Sequence, residues 1–73
     1  MEWDWIQANW QSLKALARAR WARISEEQLD TIAGRREQLV LQVHALYGIS
    51  LGMAQMQVES WQGRLVRPAA ADA

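Results

Sequence analysis

The residues of this chain best placed to do chemistry are two adjacent arginines behind a glycine. Arg35 and Arg36 follow Gly34 directly and open an amphipathic run. Cations beside the free amides of a helix start can contact phosphate, so one interpretation is a nucleic-acid or acidic-partner contact. The other interpretation, which we favour, is a solvated first helical turn whose charges are balanced by nearby glutamates, namely Glu26, Glu27 and Glu37.

Catalytic chemistry has little support among the remaining polar residues. A nucleophilic site needs a serine or cysteine beside an oriented base, but the chain has no cysteine and one histidine. That histidine, His44, has no second histidine or adjacent carboxylate on its face, so neither a metal site nor a proton-transfer site is predicted. We predict that the protein is not an enzyme and that it uses no cofactor and no metal.

The length and composition limit the protein to a few classes. A chain of 73 residues builds one domain with one small core. Eight basic residues balance eight acidic ones, so no overall field attracts nucleic acid or lipid. The absence of cysteine suits a reducing compartment, and no apolar run approaches the roughly 20 residues that span a bilayer. We therefore predict a cytoplasmic protein with no membrane segment.

Apolar residues recur at helical spacing along most of the chain, whereas no window alternates as a strand would. Four such stretches predict an all-α domain of four helices. The first predicted helix is long and unbroken, the second is short, the third covers about residues 35–47 and the fourth follows Ser50. We expect the domain to cover residues 3–63 and residues 64–73 to form a flexible tail.

Capping residues mark the ends of these predicted helices. Asp4 with Gln7, and Ser25 with Gln28, have the spacing of capping boxes. Two glycines stand where a left-handed residue ends a helix without steric cost, and a serine precedes the last helix. The predicted caps are therefore Asp4, Ser25, Gly34, Gly48 and Ser50.

The inward positions of the four apolar stripes predict the core, in which Trp10 and Trp61 are the largest side chains. Two methionines, Met53 and Met56, lie off the last stripe. We favour padding at the edge of the core over a docking surface as their role. The predicted core residues are Trp10, Leu13, Leu29, Ile32, Leu39, Val43, Tyr47, Val58 and Trp61.

A series of short motifs runs along the chain from Trp3 to Trp61. In order, they are WDWI, Trp10 followed by LK, Trp21, a serine cap with acids, IAGRREQLV, YG and QVESW. Their order resembles that of the CsbD-like family of small bacterial general-stress proteins. This resemblance implies a compact four-helix domain, similar to two helical hairpins packed crosswise, and induction under stress. It implies no biochemical activity.

Two functions stay open at the level of the sequence. In the first, a small soluble stress-response protein acts without catalysis through an unknown protein partner or self-association, with exposed apolar residues such as Leu41, Met53 and Met56. In the second, Arg35 and Arg36 at a helix N-terminus make the protein a weak nucleic-acid-binding module. We favour the first function, because each neutralised phosphate needs a cation and the net charge is zero.

Overall fold

Five helices and no strand form the part of the chain that the computed structural model describes, residues 3–65. The prediction of an all-α fold is confirmed. The prediction of four helices is wrong, because the first predicted helix is divided into two. The helices are α1 (Trp3–Ala8), α2 (Trp10–Arg20), α3 (Glu26–Ile32), α4 (Arg36–Tyr47) and α5 (Leu51–Arg64).

The division between α1 and α2 lies at Asn9, whose backbone dihedrals of −111° and 26° depart from the helical region. The Nδ2 group of Asn9 donates a 2.7 Å hydrogen bond to the carbonyl oxygen of Trp5. Asparagine disrupts helices through such local bonds, because they compete with the regular backbone pattern. The apolar stripe nevertheless continues across the break, since Ile6 and Trp10 are both buried.

The starts of the helices show which predicted caps act as caps. The prediction that Asp4 is the N-cap of the first helix is wrong, because α1 begins at Trp3 and Asp4 lies inside its first turn. The Ser25 hydroxyl accepts a bond from the Gln28 amide, and the Gln28 side chain accepts one from the Ser25 amide, so this capping box is complete. The Ser50 hydroxyl accepts a 3.1 Å bond from the amide of Met53 and caps α5.

One cluster of buried apolar side chains forms the core, and the predicted core residues belong to it with one exception. Tyr47 is only partly buried. Its hydroxyl accepts a bond from the Arg23 amide, and the Arg23 guanidinium lies 5.2 Å from its ring centre, so the side chain stays at the edge of the core. Further buried members are Ile6, Ala17, Trp21, Ile24, Val40 and Ala54.

Three tryptophans meet at Trp61 of α5: Trp3 of α1, Trp10 of α2, and Trp21, the residue that follows α2. The centre of the Trp61 ring lies 5.4 Å from that of Trp21, 6.3 Å from that of Trp3 and 6.5 Å from that of Trp10. Buried indoles pack well only when their N–H groups find acceptors. The Trp10 indole donates to the Leu29 carbonyl at 2.8 Å, which fixes α2 against α3.

The end of α5 extends the domain beyond the predicted limit at Gly63. The helix continues through Arg64, and Leu65 packs against the core. The first two residues of the predicted tail, Arg64 and Leu65, thus belong to the end of α5 and to the edge of the core, and the flexible tail stays a prediction. The remaining residues of the predicted tail, 66–73, lie outside the described residues.

Candidate functional site

The turn before the arginine pair contains two consecutive left-handed residues, Ala33 with φ 53° and Gly34 with φ 77°. The left-handed backbone predicted for Gly34 is present, but the alanine before it shares this conformation. Gly34 is also buried, and a Cβ added there would lie 2.8 Å from the Cα of Gln7. Because Gly34 has no side chain, α1 can pass close to this turn. Glycine is therefore required here by a tertiary contact as well as by the local backbone conformation.

The guanidinium groups of the arginine pair both contact the protein itself. Arg35 donates from Nε to the Ile32 carbonyl at 3.3 Å and from Nη2 to the Thr31 carbonyl at 3.2 Å. These carbonyls lie at the end of α3, where backbone acceptors lack helical partners and the helix dipole favours a cation. Arg36 Nη2 lies 3.7 Å from the Glu59 carboxylate and connects α4 to α5.

These contacts change the interpretation of the pair. The balancing glutamates that we expected are local in sequence, whereas the carboxylate beside Arg36 comes from α5. The expected partner Glu26 lies 4.0 Å from Lys14 instead, and Lys14 also bonds Asp30 at 2.5 Å. The pair therefore joins helices of the domain, and phosphate binding by it stays a prediction.

A different region of the surface is distinguished by its lack of charge. Residues 38–58, which cover most of α4 and the first half of α5, contain no Asp, Glu, Lys or Arg. Four large apolar side chains of this region are exposed, with exposed fractions of 46%, 45%, 50% and 65% in chain order. We refer to these four residues as the hairpin surface: Leu41, Leu51, Met53 and Met56.

The two methionines of the hairpin surface do not pad the core as we expected. Met53 and Met56 lie on α5 on the side away from the buried residues Ala54 and Val58. The buried stripe of α5 is formed by Ala54, Val58 and Trp61, and neither methionine is among the partly buried side chains that pack against the core. Their side chains are available for contacts outside the domain.

The two leucines of the hairpin surface line an open groove between α4 and α5, with a volume of about 240 Å³. Arg36 and Glu37 lie at one end of this groove, and Val40 and Gln55 contribute to its walls. The four uncharged lining residues, Val40, Leu41, Leu51 and Gln55, give the groove a part that can accept an apolar side chain.

The remaining sequence candidates do not assemble into a reactive site. His44 Nδ1 lies 2.5 Å from the Ile49 carbonyl oxygen, so the imidazole bonds the turn between α4 and α5. Within residues 3–65, no three acidic or histidine side chains lie together in an arrangement suited to a metal ion. No helix in the same range has the length and apolar character needed to cross a bilayer.

Comparison with known proteins places the chain in a family. No protein-family model and no solved structure matches it. It is 36% identical over 61 residues to a UPF0337 protein of Nitrosomonas europaea, a match that covers 84% of this chain and 65% of that relative. It is 30% identical over 64 residues to the UPF0337 protein YjbJ of Escherichia coli O6:H1, with 88% and 93% covered.

A UPF0337 protein of Pectobacterium atrosepticum is 31% identical over 62 residues, which are 85% of this chain and 90% of that protein. The alignments thus include nearly all of two relatives and about two thirds of the Nitrosomonas protein. The resemblance carried by the sequence motifs is confirmed, and the chain belongs to the UPF0337 family, the CsbD-like family of small bacterial proteins.

Proposed function

We propose that this protein is a bacterial stress-response protein that acts in the cytoplasm without catalysis, through contacts with other polypeptides or with further copies of itself. The observation that carries the proposal is the hairpin surface. Its four large apolar side chains are each close to half exposed or more, in a region of 21 residues, 38–58, that contains no Asp, Glu, Lys or Arg.

This combination is typical of interface cores, which are depleted of charged residues and enriched in methionine. Single exposed leucines are ordinary on monomeric proteins, but Leu41 and Leu51 lie together in the groove between α4 and α5, and Met53 and Met56 are neighbours on another side of α5. None of the four is among the partly buried side chains that pack against the core cluster. Contact with another polypeptide would remove their apolar area from water and stabilise the complex.

The stress-related part of the proposal is supported by membership in the CsbD-like family, since the resemblance implies induction under stress. The absence of catalysis is supported by the character of the hairpin surface. Binding there requires burial of apolar area and no activated nucleophile, and His44, the one histidine, is already bonded to the Ile49 carbonyl.

Site-specific crosslinking in bacterial cells tests this function. A photoreactive amino acid replaces Leu41 in one strain and Leu16 in another, because both side chains are about half exposed but only Leu41 belongs to the hairpin surface. We expect discrete crosslinked products from position 41, identified by mass spectrometry, which increase under stress. Position 16 should give few products. Equal crosslinking from both positions, or none from position 41, would contradict the proposed function.

A further inference from the structure

We infer that Met53 and Met56 form a site of reversible oxidation by peroxides, where conversion of the two thioethers to sulfoxides makes this part of the hairpin surface polar while the fold is retained. The two residues are three apart on α5, so their side chains are neighbours on one side of the helix. The inference rests on the proposed function in one respect, because the added polarity weakens the contacts that other polypeptides make there.

The chain offers a peroxide few other groups to oxidise. Thiolates are the most readily oxidised sulfur groups in proteins, but the sequence contains no cysteine. Among the described residues, 3–65, the only methionines are Met53 and Met56, and both side chains are at least half exposed. Three of the five tryptophans are buried and the other two are partly buried against the core. A peroxide at this surface therefore reacts first with the two thioethers.

The oxidation transfers one oxygen atom and two electrons. The methionine sulfur gives a lone pair to one oxygen of hydrogen peroxide, and the O–O bond breaks. That oxygen stays on the sulfur as a sulfoxide, while its hydrogen moves to the departing hydroxide, which leaves as water. Methionine sulfoxide reductases restore the thioether, one enzyme for each sulfoxide epimer. In this reverse step a thiol is the reductant, and the products are water and a disulfide.

The surroundings of Met56 leave its sulfur accessible. The residues four before it and four after it are Gly52 and Ser60, so no large side chain covers it from these positions on the adjacent turns. Glu59, three residues after Met56, is also exposed, but its carboxylate lies 3.7 Å from the Arg36 guanidinium and is directed towards α4. A neutral peroxide is not repelled by this carboxylate and can reach the thioether.

Oxidation at these two positions leaves the core intact. A sulfoxide disrupts a protein core when the methionine is buried in it, because the side chain becomes polar. Neither methionine belongs to the core cluster, since α5 faces the core with Ala54, Val58 and Trp61. The added oxygen atoms are therefore hydrated in the folded protein. The outcome is a change of surface polarity at two of the four side chains of the hairpin surface.

Treatment of the purified full chain with hydrogen peroxide tests this chemistry. We expect peptide mass spectrometry, which maps Met1 separately, to find one added oxygen atom each on Met53 and Met56. The oxidised protein should keep its melting temperature and should elute earlier from a hydrophobic-interaction column. Methionine sulfoxide reductases A and B together should restore the original elution. The double variant Met53→Leu/Met56→Leu stays apolar without a thioether, so peroxide should shift its elution far less.

Leu39→Met in this double variant is the matched control for exposure. Leu39 is fully buried, and methionine replaces leucine in cores at small cost. We expect this thioether to be oxidised at least about tenfold more slowly than that of Met56, because susceptibility follows exposure. Its sulfoxide should also lower the melting temperature, in contrast to the sulfoxides of the wild type.

Crosslinking in cells tests the effect on bound polypeptides. A photoreactive amino acid replaces Ser60, an exposed residue one turn after Met56. We expect peroxide to reduce its crosslinks at least about threefold in the otherwise wild-type chain, because sulfoxides disrupt methionine contacts in interfaces. The crosslinks should persist in the Met53→Leu/Met56→Leu variant. They should also persist when Leu16→Met is added to that variant, which places a half-exposed thioether on α2 instead.

Three results would overturn the inference: oxidation of Met53 and Met56 no faster than that of the buried thioether at position 39, a melting temperature that falls when the wild type is oxidised, or crosslinks from position 60 that peroxide leaves unchanged. Failure of the proposed function is distinguishable from these results. Absence of crosslinks from position 41 in untreated cells contradicts that function, whatever peroxide does to the purified protein. Crosslinks from position 41, together with peroxide-insensitive crosslinks from position 60, support that function and overturn the control by oxidation.

Discussion

The indole N–H of Trp3 donates a 2.7 Å hydrogen bond to the carbonyl oxygen of Gly34, 31 residues further along the chain. This bond ties α1 to the turn between α3 and α4, at the point where the two backbones approach closely. A side chain at position 34 would collide with the backbone of α1, so this hydrogen bond depends on glycine at that position.

Replacement of Gly34 by alanine should destabilise the domain far more than the same change at Gly48. Both glycines are left-handed, but a Cβ at position 34 would lie 2.8 Å from the Cα of Gln7, whereas position 48 is open. We expect a loss of about 1 kcal/mol for Gly48→Ala and about 2–5 kcal/mol for Gly34→Ala, because overpacking adds to the backbone strain. Urea unfolding of both variants measures the difference. Equal losses would show that the close approach contributes nothing.

Replacement of Ala33 by glycine should stabilise the protein. Ala33 has a left-handed φ of 53°, which an L-residue adopts at a cost of roughly 1 kcal/mol and glycine adopts freely. The greater freedom of glycine in the unfolded chain offsets part of this gain, so we expect an increase of about 0.5 kcal/mol. Thermal unfolding checks the sign, and Ala45→Gly, at an exposed position inside α4, should lower the melting temperature.

Truncation of Trp61 to alanine should remove most of the stability of the domain. The ring is buried and is in contact with the rings of Trp3, Trp10 and Trp21, so its loss leaves a cavity where α5 meets α1 and α2. We expect a loss of about 3–5 kcal/mol, comparable to the whole stability of a domain of this size. A urea midpoint unchanged from that of the wild type would contradict the central position of this ring.

The ion pair between Arg36 and Glu59 is suited to a charge-exchange experiment. The Arg36 side chain is one third exposed and the Glu59 side chain is mostly exposed, so solvent screens their attraction. We therefore expect a coupling free energy of about 0.2–1 kcal/mol between the two residues. Arg36→Glu should destabilise the protein, and the further change Glu59→Arg should restore part of the loss.

The same variant tests phosphate binding. Salt-sensitive binding of duplex DNA by the wild type, lost in a folded Arg36→Glu variant, would favour the nucleic-acid function over the one proposed. We expect no such binding, because the described contacts of Arg36 connect α4 to α5.

The sequence predicts those parts of the fold that depend on local interactions. The capping box of Ser25 is visible because its donors and acceptors are three residues apart. The break at Asn9 is not visible, since the apolar stripe has the same period on both sides of it. Ile24 was missed as a core residue because it lies between helices, where no periodicity marks the inward side.

The candidate site is less predictable, because its contacts join distant segments. Nothing near Arg36 in the sequence points to Glu59, which reaches it only after α4 and α5 pack together. The exposure of Met53 and Met56 also depends on which other helices cover α5. A signal was nevertheless present in the sequence: the interval of 21 residues without a formal charge, 38–58, is directly readable.

The grouping of Trp3, Trp10 and Trp21 around Trp61 also has an optical consequence. Indole rings at centre distances of 5.4–6.5 Å are close enough for their electronic transitions to couple. Such coupling contributes bands to far-ultraviolet circular dichroism, in the region used to measure helix content. The ellipticity of this protein therefore reports ring geometry as well as backbone, and a tryptophan variant will change it even where every helix is retained.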